Sequence, residues 1–201
     1  MIDRAKCPTC GALILPSTAA ETGGACMPCK RGFRQNIEAS QRRRLDDAKY
    51  RESPAGKHWQ WLVQQVHNNP DGFEGLSTAN QAFFAVGVLE GEVYNGGFEQ
   101  YFFNSSSNYY SRAVGTLMEM GATNSLRLTI AAKEVLFGTK PVPPSTTARR
   151  TYLRAAVGSE EEASDRASRL TAIDKHFWKD PDKLHERTEA FADRHGLRKD
   201  F

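Results

Sequence analysis

The 201-residue chain has no apolar run of membrane-spanning length, which excludes an α-helical span within it. Met1 to Thr9 has no apolar core of a secretory leader, and Leu13-Ile14-Leu15 is too short to supply one. A soluble protein in the reducing cytoplasm is therefore expected. The sequence lacks a Gly-x-Ser-x-Gly elbow, a phosphate-binding glycine loop and a dinucleotide fingerprint, so the common hydrolase, nucleotide and redox signatures are missing. Its five histidines, His58, His67, His176, His185 and His195, include no pair three or four apart, the spacing a helical metal site needs. Strand-length alternation between hairpin turns is wanting outside the first segment. Charge is nearly balanced: 27 basic and 24 acidic residues leave +3, too little by itself to name a nucleic-acid partner.

Cysteine is scarce too, and its placement is the strongest chemical signal. All four cysteines fall in two knuckles, Cys7-Pro8-Thr9-Cys10 and Cys26-Met27-Pro28-Cys29, with fifteen residues between Cys10 and Cys26. This is four-thiolate zinc spacing. Two residues between paired cysteines let one tight turn present both sulfurs to a single ion, and zinc favours a tetrahedron of soft sulfur ligands. No histidine lies between Cys7 and Cys29, so the site reads as closed and structural, holding one Zn²⁺. Paired disulfides would need an oxidising compartment, and a redox Cys-x-x-Cys would need a single pair in a strand–helix–strand setting. A segment of about thirty residues cannot close an apolar core alone, so the metal is expected to supply most of its folding energy.

The chain reads as three parts: a zinc ribbon over 1–36, a basic connecting helix over 37–53 and a helical domain over 54–201. Residues 1–57 carry 11 basic and 6 acidic side chains, a net +5. Residues 58–138 are −4 and residues 139–201 are +2. The connecting helix contains Arg42-Arg43-Arg44, which with Lys30, Arg31 and Arg34 are the candidate nucleic-acid contacts of residues 1–53, although an arginine run is more commonly a solvated helix face. Ser53-Pro54-Ala55-Gly56 breaks it.

Beyond the break the periodicity is helical. Trp59, Leu62, Val63 and Val66 recur at i, i+3, i+4 and i+7. Ser77 is placed to cap a run from Thr78 to Tyr94 whose apolar residues nearly encircle it, the mark of a central helix. Gly87 and Gly91 on this run suggest close approach of a neighbour. Asn95-Gly96-Gly97 is expected to stop the run. A short element follows over Phe98 to Asn104, then a helix through Met120, another starting at Asn124 or Ser125, and further helices over 147–157, 159–175 and 181–195. The fold class is an all-α domain behind a small N-terminal zinc-ribbon module.

The segment Glu92-Val93-Tyr94-Asn95-Gly96-Gly97-Phe98-Glu99-Gln100-Tyr101-Phe102-Phe103-Asn104 resembles the E-V-x-N-G-G-F-x-Q-Y-F-x-N hallmark of a bacterial helical family named for a DNA-mimic protein. Ser105 to Asn108, Leu117 to Ala122 and, more loosely, Leu170 to Phe177 are similar to its following helices. The resemblance implies an all-helical fold and a non-enzymatic, regulatory role in binding a protein partner. In the namesake activity an acidic surface occupies the DNA-binding face of a regulator. A net −4 over residues 58–138 is a thin field for imitating phosphates. Within the motif, Glu92, Asn95, Gly96, Gly97, Phe98, Gln100 and Asn104 form the structural candidates. Glu92 with Asn95, and Gln100 with Asn104, share helix faces that meet across the glycines. A buried polar network with Asn95 and Asn104 as caps is expected, rather than a catalytic site, because acid–base chemistry needs a second titratable group beside Glu92, and the local candidates are Glu90 and Glu99, with no histidine or cysteine.

Overall fold

The computed structural model describes residues 4–155 and 158–201. Residues 1–3, and the Ala156-Val157 end of the helix expected over 147–157, lie outside the described residues. The chain forms two compact units, Met1–Gly56 and Lys57–Phe201.

In the first unit, β1 (Ala5–Lys6) and β2 (Leu13–Ile14) pair antiparallel, Ala5 opposite Ile14 and Lys6 opposite Leu13. The hairpin carries Cys7 and Cys10 at its tip, closed by Cys7 N–H donating to Ala12 O at 2.9 Å and Gly11 N–H to Cys7 O at 2.8 Å. Short helices α1 (Pro16–Thr22) and α2 (Met27–Lys30) follow. The second cysteine pair therefore sits on a helix start, with Cys26 as the N-cap of α2 and Cys29 inside it. A helix, not a second hairpin, completes the module. Its small apolar cluster comprises buried Cys7, Ile14 and Cys26, with Cys10, Ala19, Ala25 and Cys29 packed against them. Helix α3 (Arg34–Glu52) continues for 19 residues without burying one of them.

Helix α4 (Pro54–Asn68) leads into the second unit. Ser77 accepts a hydrogen bond from Asn80 N and so caps α5 (Thr78–Phe103), the central helix. Phe83, Phe84, Val86, Leu89, Val93, Phe98, Tyr101 and Phe102 are buried around α5. It packs against a 3-10 turn over Ser105–Tyr109 and against α6 (Tyr110–Glu119), α7 (Thr123–Phe137), α8 (Thr146–Ala155), α9 (Glu160–Phe177) and α10 (Leu184–Arg194). Gly87 admits a close neighbour: a Cβ there would lie 2.7 Å from the Trp59 ring of α4, whereas among the described residues nothing comes within 4 Å of one at Gly91. Helix α9 opens with a full capping box between Ser159 and Glu162. No helix among the described residues is long and apolar enough to cross a membrane.

The expected stop at Asn95-Gly96-Gly97 is a kink. Helical hydrogen bonding runs on to Phe103, but Gly96 (φ −159°, ψ 20°) and Gly97 (φ 78°, ψ −179°) leave helical geometry. The chain therefore turns within α5 and delivers Phe98, Tyr101 and Phe102 to the same core as Phe84 and Leu89.

Candidate metal centre and the Glu92 network

Cys7, Cys10, Cys26 and Cys29 bring one sulfur each into a cluster whose members lie within 4.8 Å of one another. Sulfurs held at ~2.3 Å from a tetrahedral zinc stand about 3.8 Å apart. The Cys10–Cys26 separation is 3.6 Å, close to that edge and far beyond a disulfide bond. All four thiols are free. The four cysteines singled out in the sequence thus converge on one point, and their donor set suits a soft, tetrahedral ion.

The surroundings favour thiolate. Cys26 N–H donates to Cys7 Sγ at 3.3 Å, and this bond is the chief reason the Cys7 thiol is pulled down to about 6. Arg34 Nη2 donates to Cys26 Sγ at 3.2 Å and lowers that thiol's pKa. Cys29 goes the other way, pushed up to about 12 by burial and by the neighbouring sulfurs. Four thiols this close cannot all ionise unless a cation sits among them, and a bound metal removes that conflict. In the sequence Arg34 reads only as a basic residue for nucleic-acid contact; its place beside a cysteine sulfur is not foreseen there, because Cys26 caps α2 and Arg34, eight residues on, opens α3.

Arg42, Arg43 and Arg44 are exposed on α3. Consecutive helical residues project about 100° apart, so the three fan around the helix instead of forming one basic patch.

In the second unit the kink in α5 folds three motif residues together. Glu92 Oε2 accepts from Gln100 Nε2 at 2.7 Å and from Asn104 Nδ2 at 3.0 Å, and Glu92 Oε1 accepts from Ser106 Oγ at 2.8 Å. The carboxylate bridges the two halves of α5 and the turn after it. Ser106 lies just past the hallmark, in the Ser105 to Asn108 stretch that reads in the sequence as a turn and helix cap. Asn95 and Gly96 are exposed, and Asn95 is not part of this network. Asn104 is the C-cap residue of α5, and its side chain serves Glu92 rather than the helix end.

The groups that staple the kink come from far along the chain. Phe98 N–H donates to Asp174 Oδ1 at 2.8 Å, and Trp178 Nε1 donates to Val93 O at 2.8 Å. Buried Gly97 lies so close to Asp174 that a Cβ would overlap the carboxylate. Burial raises the Asp174 pKa, partly offset by the Phe98 N–H. The C-terminal end of α5 is held by arginines. Fully buried Arg149 donates to Phe102 O at 3.1 Å, Asn104 O at 2.9 Å, Pro143 O at 3.0 Å and Pro144 O at 3.3 Å. Arg150 donates to Phe103 O at 3.0 Å. None of these partners carries a periodic signal in the sequence.

A family model described as DMP19-like protein matches residues 74–195, more than half of the chain. The chain belongs to that family. The match covers the kinked helix, the Glu92 network and the stapling residues Asp174 and Trp178, and it leaves out the cysteine module. No curated protein and no solved structure matches the chain.

Proposed function

We propose that this DMP19-like protein is a non-enzymatic binding protein: its helical unit engages a protein partner of the DNA-binding regulator class, and its N-terminal module is held by one structural zinc. The observation that carries the non-catalytic part is the employment of Glu92. This acid of the family hallmark accepts three hydrogen bonds, from Gln100, Asn104 and Ser106, all of which tie backbone segments together. General acid–base work needs a second titratable group within hydrogen-bond reach of the first, and the partners of this carboxylate are two amides and a hydroxyl. Zinc is supported by the four-thiolate donor set and its spacing. Membership of the DMP19-like family supports a regulator as partner. The net −4 of residues 58–138 argues for docking by shape and local contacts over wholesale phosphate imitation.

A second reading, nucleic-acid contact through residues 1–53, draws on α3, a long helix with no buried residue that carries Arg42, Arg43 and Arg44. One pair of experiments separates the two. The full-length chain, used as bait after nuclease treatment, should retain a protein partner, identified by mass spectrometry. In a gel shift with duplex DNA, any binding should be weak, fall with salt and disappear when the three arginines become alanine. Partner retention that vanishes with nuclease, alongside tight duplex binding, would replace the first reading with the second.

A further inference from the structure

The metal cluster is asymmetric. Cys7 and Cys26 are buried and their sulfurs each accept an N–H, whereas Cys10 and Cys29 are half-exposed and line a surface groove. Arg34 stands at the border between these sides. It lines the groove with Cys10 and Cys29, reaches the Cys26 sulfur through Nη2, and buries an Nε that finds no acceptor among the described residues. Its hydrogen bond to the Cys26 sulfur, at 3.2 Å, is therefore its main polar contact among the described residues.

Four thiolates around a divalent ion carry a net charge of −2, and one guanidinium against them halves it. We infer that Arg34 is the outer-sphere residue of the metal centre: it pins the Cys26 sulfur and sets how long the metal is retained, while exchange and chemical attack enter from the Cys10–Cys29 side. The inference rests on the metal reading above. Outer-sphere partners of this kind typically govern metal affinity by about 10- to 100-fold, because they fix ligand orientation and neutralise ligand charge.

The test uses the full-length, zinc-loaded chain. Zinc transfer to the chromophoric chelator 4-(2-pyridylazo)resorcinol is timed for the wild type, Arg34→Met and Arg34→Lys, and iodoacetamide labelling is mapped peptide by peptide. In the wild type, Cys10 and Cys29 should label first and Cys26 late. Arg34→Met keeps the length of the stem and should release zinc about tenfold faster or more, with Cys26 now labelling together with Cys10 and Cys29. Arg34→Lys keeps the charge and should recover part of the retention. A variant that merely loosened the fold would raise labelling at all four cysteines and would gain nothing from lysine, which would overturn the assignment. Unchanged release and labelling order in a zinc-loaded Arg34→Met protein would overturn the role of Arg34 alone. A wild type that takes up no zinc would instead overturn the metal reading and this inference with it.

Discussion

Gly97 and Asn95 stand two residues apart in the hallmark, yet the structure assigns them opposite weight. Gly97 has φ 78° and ψ −179°, a region essentially reserved for glycine, and the Asp174 carboxylate occupies the space of a Cβ. Gly97→Val should cost about 3 kcal/mol, from backbone strain and loss of the Phe98–Asp174 bond. Asn95 is exposed, so Asn95→Ala should stay within about 0.5 kcal/mol of the wild type. Denaturant midpoints of the two variants check this, and equal midpoints would contradict it. A second residue-scale prediction concerns His58. It is fully buried, its Nε2 donates to Asn80 Oδ1 at 2.9 Å, and Nδ1 has no partner among the described residues. Rings of Trp61, Phe83 and Phe201 pack around it, with Arg198 and Glu189 as the nearby charges. Burial lowers its pKa, so between that value and the unfolded value of about 6.5 the unfolded chain binds the extra proton. The His58 contribution is intact above about pH 6.5 and is lost as pH falls below it, by at most ~1.4 kcal/mol per pH unit. His58→Gln should flatten that slope, measured as the difference in stability between pH 7.5 and 5.5.

The elements are held at their ends by residues distant in sequence. Asp182 accepts from Ser125 N at 2.6 Å and from Asn124 Nδ2 at 3.0 Å, so α7 is capped from the loop before α10 and not by its own N-cap residue, Ala122. Asp182→Ala should therefore cost about 1–2 kcal/mol, as lost caps do. Arg149 bears more. Arg149→Met leaves the carbonyls of Phe102, Asn104, Pro143 and Pro144 without their donor and should cost about 3 kcal/mol or more in chemical denaturation; lysine, lacking the guanidinium fork, should recover only a minor share. A near-neutral Arg149→Met would show that these carbonyls find other donors. These devices also explain what was legible in the sequence. Repeating signals were readable: the stripe Trp59-Leu62-Val63-Val66, the encircling apolar residues of α5, the Ser77 cap and the four cysteines. A kink in place of a stop at Gly96-Gly97 was not readable, because its direction depends on Asp174 and Trp178, more than seventy residues away. Arg149 and Asp182 escaped notice, and Arg34 reads only as a basic surface residue, for the same reason: a single polar residue looks solvated until its distant partner is placed. The start of α2 at the second cysteine pair is too brief, at four residues, to have a period.

At the scale of the molecule the apolar clusters divide as the chain does. One comprises Cys7, Ile14 and Cys26 with the remaining cysteines and two alanines; the other draws only on residues from Trp59 onward. The small cluster is too slight to stand without a cross-link, and the large one is a full helical core. Metal removal by chelation at neutral pH should therefore unfold the cysteine module and leave the main thermal transition in place, read by near-ultraviolet circular dichroism and calorimetry. Loss of the main transition on chelation would contradict this division. The central claim, a closed four-thiolate zinc centre in front of a helical binding unit, is tested most directly by metal analysis of freshly purified, reduced, full-length protein beside Cys26→Ser. The account predicts one zinc per chain in the wild type and loss of that zinc in the variant, with helical content retained. Wild-type protein free of zinc, or a Cys26→Ser variant that keeps it undiminished, would contradict the account.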